Sequence, residues 1–519
     1  MNSCCISREV GRFHRLGLTL CLILGVVSCD AAPGFANVFG DHAVLQRGAS
    51  IQVWGNGASA PQDYALRFGD LVVPVASGVK GDWAATLPAM PAHRDGRKLE
   101  LLENGAVVAE LEDIVVGEVW LAAGQSNMQF PVRGMLKLLP EAKAWVDSAD
   151  VPAIRFRRVN DAVLPDKNAM AVDVKTPGGW TPMSPNSVVG FSAVASVFAR
   201  EVEARLDAPI GIIDVSWGGK PIEPFIPRDH FKTTALETIL ELADAAKLDE
   251  LARTEGGLVI RNPQGHPGAI YNARMAPFED YALRGFLWYQ AESNAGKGED
   301  PRLYREKMKA MAAGWRNRWG DQQAPIYFVQ LPSFAGATGW VRMREEQRLA
   351  SMIPNTGMAV TIDIRGAGIH PPDKISVGRR LAALALGQTY QFGRSIFQGP
   401  SYRSHEIEGD AVHVRFDNVG GGLMVGDKPG IAAPIETPGA SLKWFELAGR
   451  DGVWRPASAE IRGDAVTVRC PQVESPVAVR YACSPEPQGG NLYNREGYPA
   501  SPFVTDLEML PWEDHGRSR

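Results

Sequence analysis

Four short blocks of this sequence carry side chains suited to acyl transfer: Gly124-Gln125-Ser126-Asn127-Met128, Ser216-Trp217-Gly218-Gly219, Gln290-Ala291-Glu292-Ser293-Asn294 and Gly368-Ile369-His370-Pro371. Together they supply a hydroxyl, glycines with unshielded N–H groups, side-chain amides, a carboxylate and an imidazole. Those are the nucleophile, oxyanion donors, orienting acid and base of ester chemistry. Each block also has a structural explanation when taken singly. Ser126 could be a helix N-cap, Gly218-Gly219 a tight turn, Glu292 a cap or cation ligand, and His370 a buried structural histidine. The argument for chemistry is their joint placement, each just beyond an apolar run.

Those runs are Ile114 to Leu121, Ile210 to Val215, Phe286 to Trp288 and Met358 to Ile362, with a further one at Ile326 to Val329. Near-continuous apolar runs are expected of strands buried on both faces. Helical stretches lie between them, at Phe191, Ala195, Phe198 and Val202, and near 301–317 and 341–352, and a last one follows near 375–389. Strand and helix taking turns predict a parallel sheet wrapped by helices, and such sheets bind ligands beyond the carboxyl ends of their strands. The segment from about 228 to 256, with Leu236, Ile239, Leu240, Leu242, Leu248 and Leu251, predicts an inserted helical subdomain. On either side the period falls to two. Short alternating strands separated by turn clusters predict an N-terminal β-sandwich over 34–112, an α/β region over 113–394 and a C-terminal β module over 395–519, where Val412, Val414 and Phe416 alternate with polar residues.

A length of 519 residues fits about three domains, and 45% hydrophobic with 22% charged residues excludes disorder, collagen and coiled coil. A net charge of -5 without a long basic run gives a nucleic-acid partner no electrostatic support. Arg8, Arg12 and Arg15 precede an apolar stretch, Leu16 to Val27, too short to span a bilayer, so residues 1–31 read as an export signal. Cleavage falls near Ala31 or Ala32; alternatively Val26-Val27-Ser28-Cys29 resembles a lipobox, with Cys29 as a lipid anchor. The destination is then periplasmic, extracellular or the outer membrane. Four cysteines fall in this segment, leaving Cys470 and Cys483 either to pair or to stay as free thiols. Outside it there is no CxxC or HExxH, nor a Walker A loop or GxGxxG after a strand, so zinc and nucleotide chemistry are not indicated.

Further matches accompany the four blocks: Gly117-Glu118-Val119-Trp120-Leu121 leads into the first, Pro221-Ile222-Glu223 follows the second, and Trp288-Tyr289 opens the third. With Phe39-Gly40-Asp41 at one end and Pro499-Ala500-Ser501-Pro502-Phe503 at the other, the chain resembles the sialate O-acetylesterases of the SGNH (GDSL-like) hydrolase superfamily over nearly all of its length after residue 31. The resemblance implies a three-layer, flavodoxin-like α/β hydrolase domain flanked by β-sandwich modules. It implies Ser126 as nucleophile and His370 as base. The oxyanion hole would combine the N–H groups of Ser126 and of Gly218 or Gly219 with the side-chain amide of Gln290 or Asn294. No metal or organic cofactor is implied.

The sequence departs from that pattern at the acid. Where many such enzymes carry it, three residues before the histidine, stands Ala367, and Gly368 follows. Glu292 is the first expectation as replacement, because related acetylxylan esterases are thought to use the glutamate of a Q-G-E block; Asp363 is the second, and Asp373 is expected to be a helix N-cap. Ala291 stands where the family usually has Gly. The implied substrate is a carbohydrate O-acetyl ester, nominally the 9-O-acetyl of sialic acid. Acetylated xylan or another plant glycan is the alternative, and a non-catalytic glycan-binding protein is the reading from another class.

Overall fold

The computed structural model describes residues 32–510 apart from 58–62, 77–82, 167, 176–178, 233–235, 246–264, 296–299, 338, 365, 367 and 394–396. The expected export signal, Cys29 included, and residues 246–256 of the expected insertion therefore lie outside the described residues.

A 19-residue strand, β1 (Ala106–Gly124), joins the two N-terminal regions. Up to Asp113 its residues are exposed or half-buried, and from Ile114 onward every one is buried. The cause is in the neighbours: the first part pairs antiparallel with His93–Glu103, while from Val115 onward the strand gains parallel partners, first Val44–Gln46 and then the strands 210–214 and 285–289. The boundary expected at 112/113 thus falls inside a continuous strand. His93–Glu103, Tyr64–Phe68 and Leu71–Pro74 belong to the same 11-stranded sheet as β1, and only Gly34–Phe35, Ile51–Asn56 and Trp83–Leu87 form a separate sheet beside it.

The parallel part runs β2 (Val151–Arg158), β3 (Ile210–Asp214), β1, β4 (Gly285–Tyr289), β5 (Ile326–Val329), β6 (Thr356–Ala359), with Thr181–Met183 antiparallel at the β2 edge. The chain fills one side of β1 first and then crosses to the other. Loops leaving the carboxyl ends of β3 and β4 therefore diverge on either side of β1 and open a crevice there, the place where open α/β sheets bind ligands.

Because both strand faces are buried, two apolar cores form. One joins Trp120, Ala122, Ile212 and Leu287 to Phe198 of helix α1 (Ala193–Leu206) and Leu381 of helix α4 (Lys374–Leu384). The other joins Leu121, Ala123, Phe286 and Trp288 to Met311 and Trp315 of helix α2 (Tyr304–Arg318) and to Trp340 of helix α3 (Trp340–Ala350). Gly124 ends β1 at a φ of 133°, and a Cβ there would stand 2.2 Å from the Tyr289 carbonyl oxygen, so only glycine lets β1 and β4 close up at the crevice.

In the described part of the 228–256 segment, a 3-10 turn (Arg228–Phe231) leads to an eight-residue helix (Glu237–Asp244) that buries Ile239, Leu240 and Ala243. The C-terminal region is β throughout its sheets, two of four strands and one of three, with Val412, Val414 and Phe416 inward as their spacing predicts. Cys470 and Cys483 are both free thiols, the latter donating to the Phe503 carbonyl.

Candidate active site

β1 delivers Gly124 to the middle of the sheet edge, and Gln125 leads into a one-turn helix, Ser126–Gln129. Gln125 takes the N-cap position and makes no side-chain cap bond, so Ser126 is not serving as a cap. Its Oγ stands 2.8 Å from Nε2 of His370, which comes from the loop after β6. The imidazole lies against the Phe130 ring, centroids 6.0 Å apart and 29° between planes. Partial burial, reinforced by the nearby positive charge of Lys374, holds the imidazole below its ordinary pKa. His370 is therefore neutral at neutral pH and able to take a proton from Ser126.

Neither expected acid touches His370; among the described residues no carboxylate hydrogen-bonds or ion-pairs with it. Glu292 is buried and its Oε1 accepts from Nδ2 of Asn127 at 2.5 Å. The same amide group donates to the carbonyl of Ile369 at 2.9 Å, and Asn127 Oδ1 accepts from the buried Lys374 ammonium. Asn127 thus stands between Glu292 and the histidine loop. Asp363 is held by Arg380 through two bonds, 2.7 and 2.6 Å, and accepts from the Tyr493 hydroxyl. Asp373 is the N-cap expected of it, accepting from Ser376 N, and it pairs with Lys428.

The Glu292–Asn127–Lys374 array is buried. Burial pushes the Glu292 carboxyl upward, and its Oε2 has no hydrogen-bond partner among the described residues. Burial also brings Lys374 down to about 7, against the opposing pull of Glu292 and Asp373. The ammonium lies 5.2 Å from the centroid of Phe130 and 5.4 Å from that of Tyr289, so two ring faces replace part of its hydration. The sequence reading missed Asn127 and Lys374. Their signals were adjacency, one residue from Ser126 and four from His370.

The groups expected as oxyanion donors are held in different ways. A Cβ on Gly218 would stand 3.5 Å from the Ser126 Cβ, so that backbone runs beside Ser126, although its N–H donates to Gln129 Oε1 at 2.9 Å. Gly219 follows at a φ of 69° with open space at its Cα. Gln290 and Asn294 are a correction. Gln290 Nε2 donates to Gln125 Oε1 at 3.0 Å, Asn294 Oδ1 at 2.8 Å and the Lys220 carbonyl at 3.3 Å. Asn294 Nδ2 donates to both oxygens of Glu223, which is fully buried and paired with Lys307. Turning either amide toward substrate would leave buried acceptors unsatisfied, so both serve as scaffold beneath the site.

Ala291, between Gln290 and Glu292, has a φ of 140°, a conformation that favours glycine. Such strain costs about 1–3 kcal/mol, while a glycine there adds about 0.4–1 kcal/mol of freedom to the unfolded chain. Ala291→Gly is accordingly expected to stabilise the protein by about 1 kcal/mol, read as a higher midpoint in urea with an unchanged slope. A lower midpoint would mean that the Ala291 methyl contributes more through packing than its backbone loses.

The comparisons with known proteins bear on the same region. Residues 116–387, which span all four blocks, match the carbohydrate esterase family described as sialic acid-specific acetylesterase. The sialate O-acetylesterase of Rattus norvegicus is 28% identical over 441 residues, 76% of this chain and 80% of its own length. That of Homo sapiens is 28% identical over 426 residues, 74% and 76% of the two. The crystal structure of a carbohydrate acetylesterase from Xanthomonas citri superimposes with a TM-score of 0.78 at 31% identity, covering 91% of this chain and 99% of that one.

Proposed function

Because the chain belongs to the sialic acid-specific acetylesterase family of carbohydrate esterases, and is thus a carboxylic ester hydrolase, we propose that it releases acetate from O-acetylated sialic acid, first of all from the 9-position, through an acyl-enzyme on Ser126. The observation that carries the mechanism is the 2.8 Å contact of Ser126 Oγ with His370 Nε2 at the carboxyl edge of the sheet. His370 takes the Oγ proton as Oγ attacks the acetyl carbon, and the carbonyl electrons move onto oxygen. The N–H groups of Ser126, Gly218 and Gly219 receive that oxyanion, the substrate oxygen displacing Gln129 Oε1 from Gly218. Collapse expels the sugar oxygen, which takes the proton from His370. Water then gives a proton to the same nitrogen, attacks the acyl carbon and frees acetate, and Oγ recovers its proton. Glu292 acts through Asn127, which fixes the Ile369 carbonyl and hence the loop bearing His370.

The two cores on opposite faces of the sheet support a three-layer SGNH arrangement for this domain. The basic and apolar N-terminus supports export, with a signal removed near Ala31 or a lipid on Cys29.

The substrate is tested by acetate release from 9-O-acetylated sialic acid and from acetylated xylo-oligosaccharides. A kcat/KM at least tenfold higher on the sialic acid is expected, and the reverse order would move the enzyme to plant glycans. The pH profile tests the base. Catalysis needs neutral His370, so kcat/KM rises with pH through the imidazole pKa, and since that pKa is depressed, more than half of the plateau should remain at pH 6.5. An acid limb centred above 6.5 would mean that a carboxylate is holding the imidazolium.

A further inference from the structure

The carboxyl edge of the sheet does not end at His370. Beyond β5 and β6, between Ser333, the residues Ile362, Asp363, Ile364 and Gly366, and the C-terminal β module, lies a cavity of about 450 Å³. That is the size of a small-ligand site. Its floor belongs to the loop that goes on to His370, and its roof is built by Asp427, Lys443, Glu486, Gln488 and the Gly489–Gly490 backbone. The two halves are bonded together: Tyr493 from the module donates to Asp363 on the loop, at 3.3 Å. Within the roof the Trp444 indole holds the Gln488 carbonyl at 2.8 Å, and Lys443 Nζ reaches over Gly489, 3.3 Å from where a Cβ would stand.

We propose that this seam cavity binds the neutral glycosyl units that precede the acetylated sugar, making the C-terminal module a specificity element of the esterase. Three features fit hydroxyl-rich, uncharged sugar. The cavity lies past the carboxyl ends of β5 and β6, and Gly366 on its floor stands four positions before His370. Its wall mixes both signs of charge with an amide and backbone groups, which offer donors and acceptors for hydroxyls without selecting an ion. Lys428, the other cation on the wall, is already committed to Asp373 and the Gly430 carbonyl. Glycans with sialic acid at the end and xylan both carry neutral sugars next to the acetylated unit, so the inference rests on the carbohydrate esterase reading but not on the choice between them.

The test uses the full chain with Lys443→Ala and Gln488→Ala combined, both exposed side chains outside the catalytic machinery. With 4-nitrophenyl acetate, which has no glycan, kcat/KM should stay within twofold of wild type. With O-acetylated sialyllactose or acetylated xylohexaose it should fall about tenfold through KM, and whichever glycan shows the loss identifies the chain the cavity takes. Titration of lactose and xylohexaose against the Ser126→Ala protein, with and without the double substitution, reads the cavity apart from the chemistry. A tenfold weaker Kd for one of them supports the site even if no acetylated glycan is cleaved, an outcome that would instead overturn the esterase substrate. Equal affinity in the two proteins, absence of binding to both, or an equal loss on 4-nitrophenyl acetate overturns the cavity assignment.

Discussion

Replacing Ser126 with alanine is expected to lower kcat for acetate release by about 10⁴-fold or more while leaving the melting temperature within a degree or two of wild type. The two halves of that expectation have different causes. Ser126 is half-exposed, it is not the N-cap of its helix, and its Oγ bonds His370 alone among the described residues, so deletion removes about one net hydrogen bond, worth about 0.5–1.5 kcal/mol. The chemical loss is far larger because nucleophile and base act as a unit, and what remains is the acceleration supplied by oxyanion donors and binding. Acetate release and a thermal melt on the same preparation check both. Turnover within tenfold of wild type would remove Ser126 from the mechanism, and a large drop in melting temperature would make it a structural residue after all.

How much of the site could be read before the fold was known depends on what kind of interaction holds each residue. Ser126, Gly218 and His370 were readable because two-sided burial makes a parallel strand an apolar run, and ligands meet such strands at their carboxyl ends. The roles of Gln290 and Asn294 were not. An amide in a loop looks like a donor awaiting substrate, and only the fold shows Gln290 bonded to Gln125, 165 residues away, and Asn294 bonded to Glu223, 71 residues away. Asn127 was hidden by the same geometry that exposes Ser126, since one step along a helical turn rotates the next side chain into the core. The boundary expected at 113 failed for a related reason: a change from alternating to continuous apolarity marks where a strand gains a second neighbour, and β1 gains one without interruption.

The missing acid beside His370 is where the next largest effects are expected, and two substitutions separate the possible arrangements. Asn127→Ala deprives three partners at once, since the Ile369 carbonyl, Glu292 and Lys374 all bond that one amide. With the histidine loop unpinned and a buried carboxylate left without its side-chain donor, kcat should fall about 10²–10³-fold and stability by about 2–4 kcal/mol. Glu292→Gln is milder. Its amide oxygen still accepts from Asn127, so the loop stays in place and only the negative charge is lost, and a kcat reduction of about tenfold is expected. The pH profile should move with it in a definite direction. Without that charge only Asp373 still supports the Lys374 ammonium, so Lys374 gives up its proton more readily, repels the imidazolium less, and the acid limb of kcat/KM shifts to higher pH. If Glu292 instead bonded the imidazole directly during turnover, the glutamine would present its own N–H or select the wrong tautomer, and the loss would be about 10⁴-fold. Rates and limb positions for wild type, Glu292→Gln and Asn127→Ala therefore decide the matter. A tenfold effect with a raised limb makes Glu292 a positioning residue acting through Asn127, and a 10⁴-fold effect would require the loop carrying His370 to move until the two side chains meet.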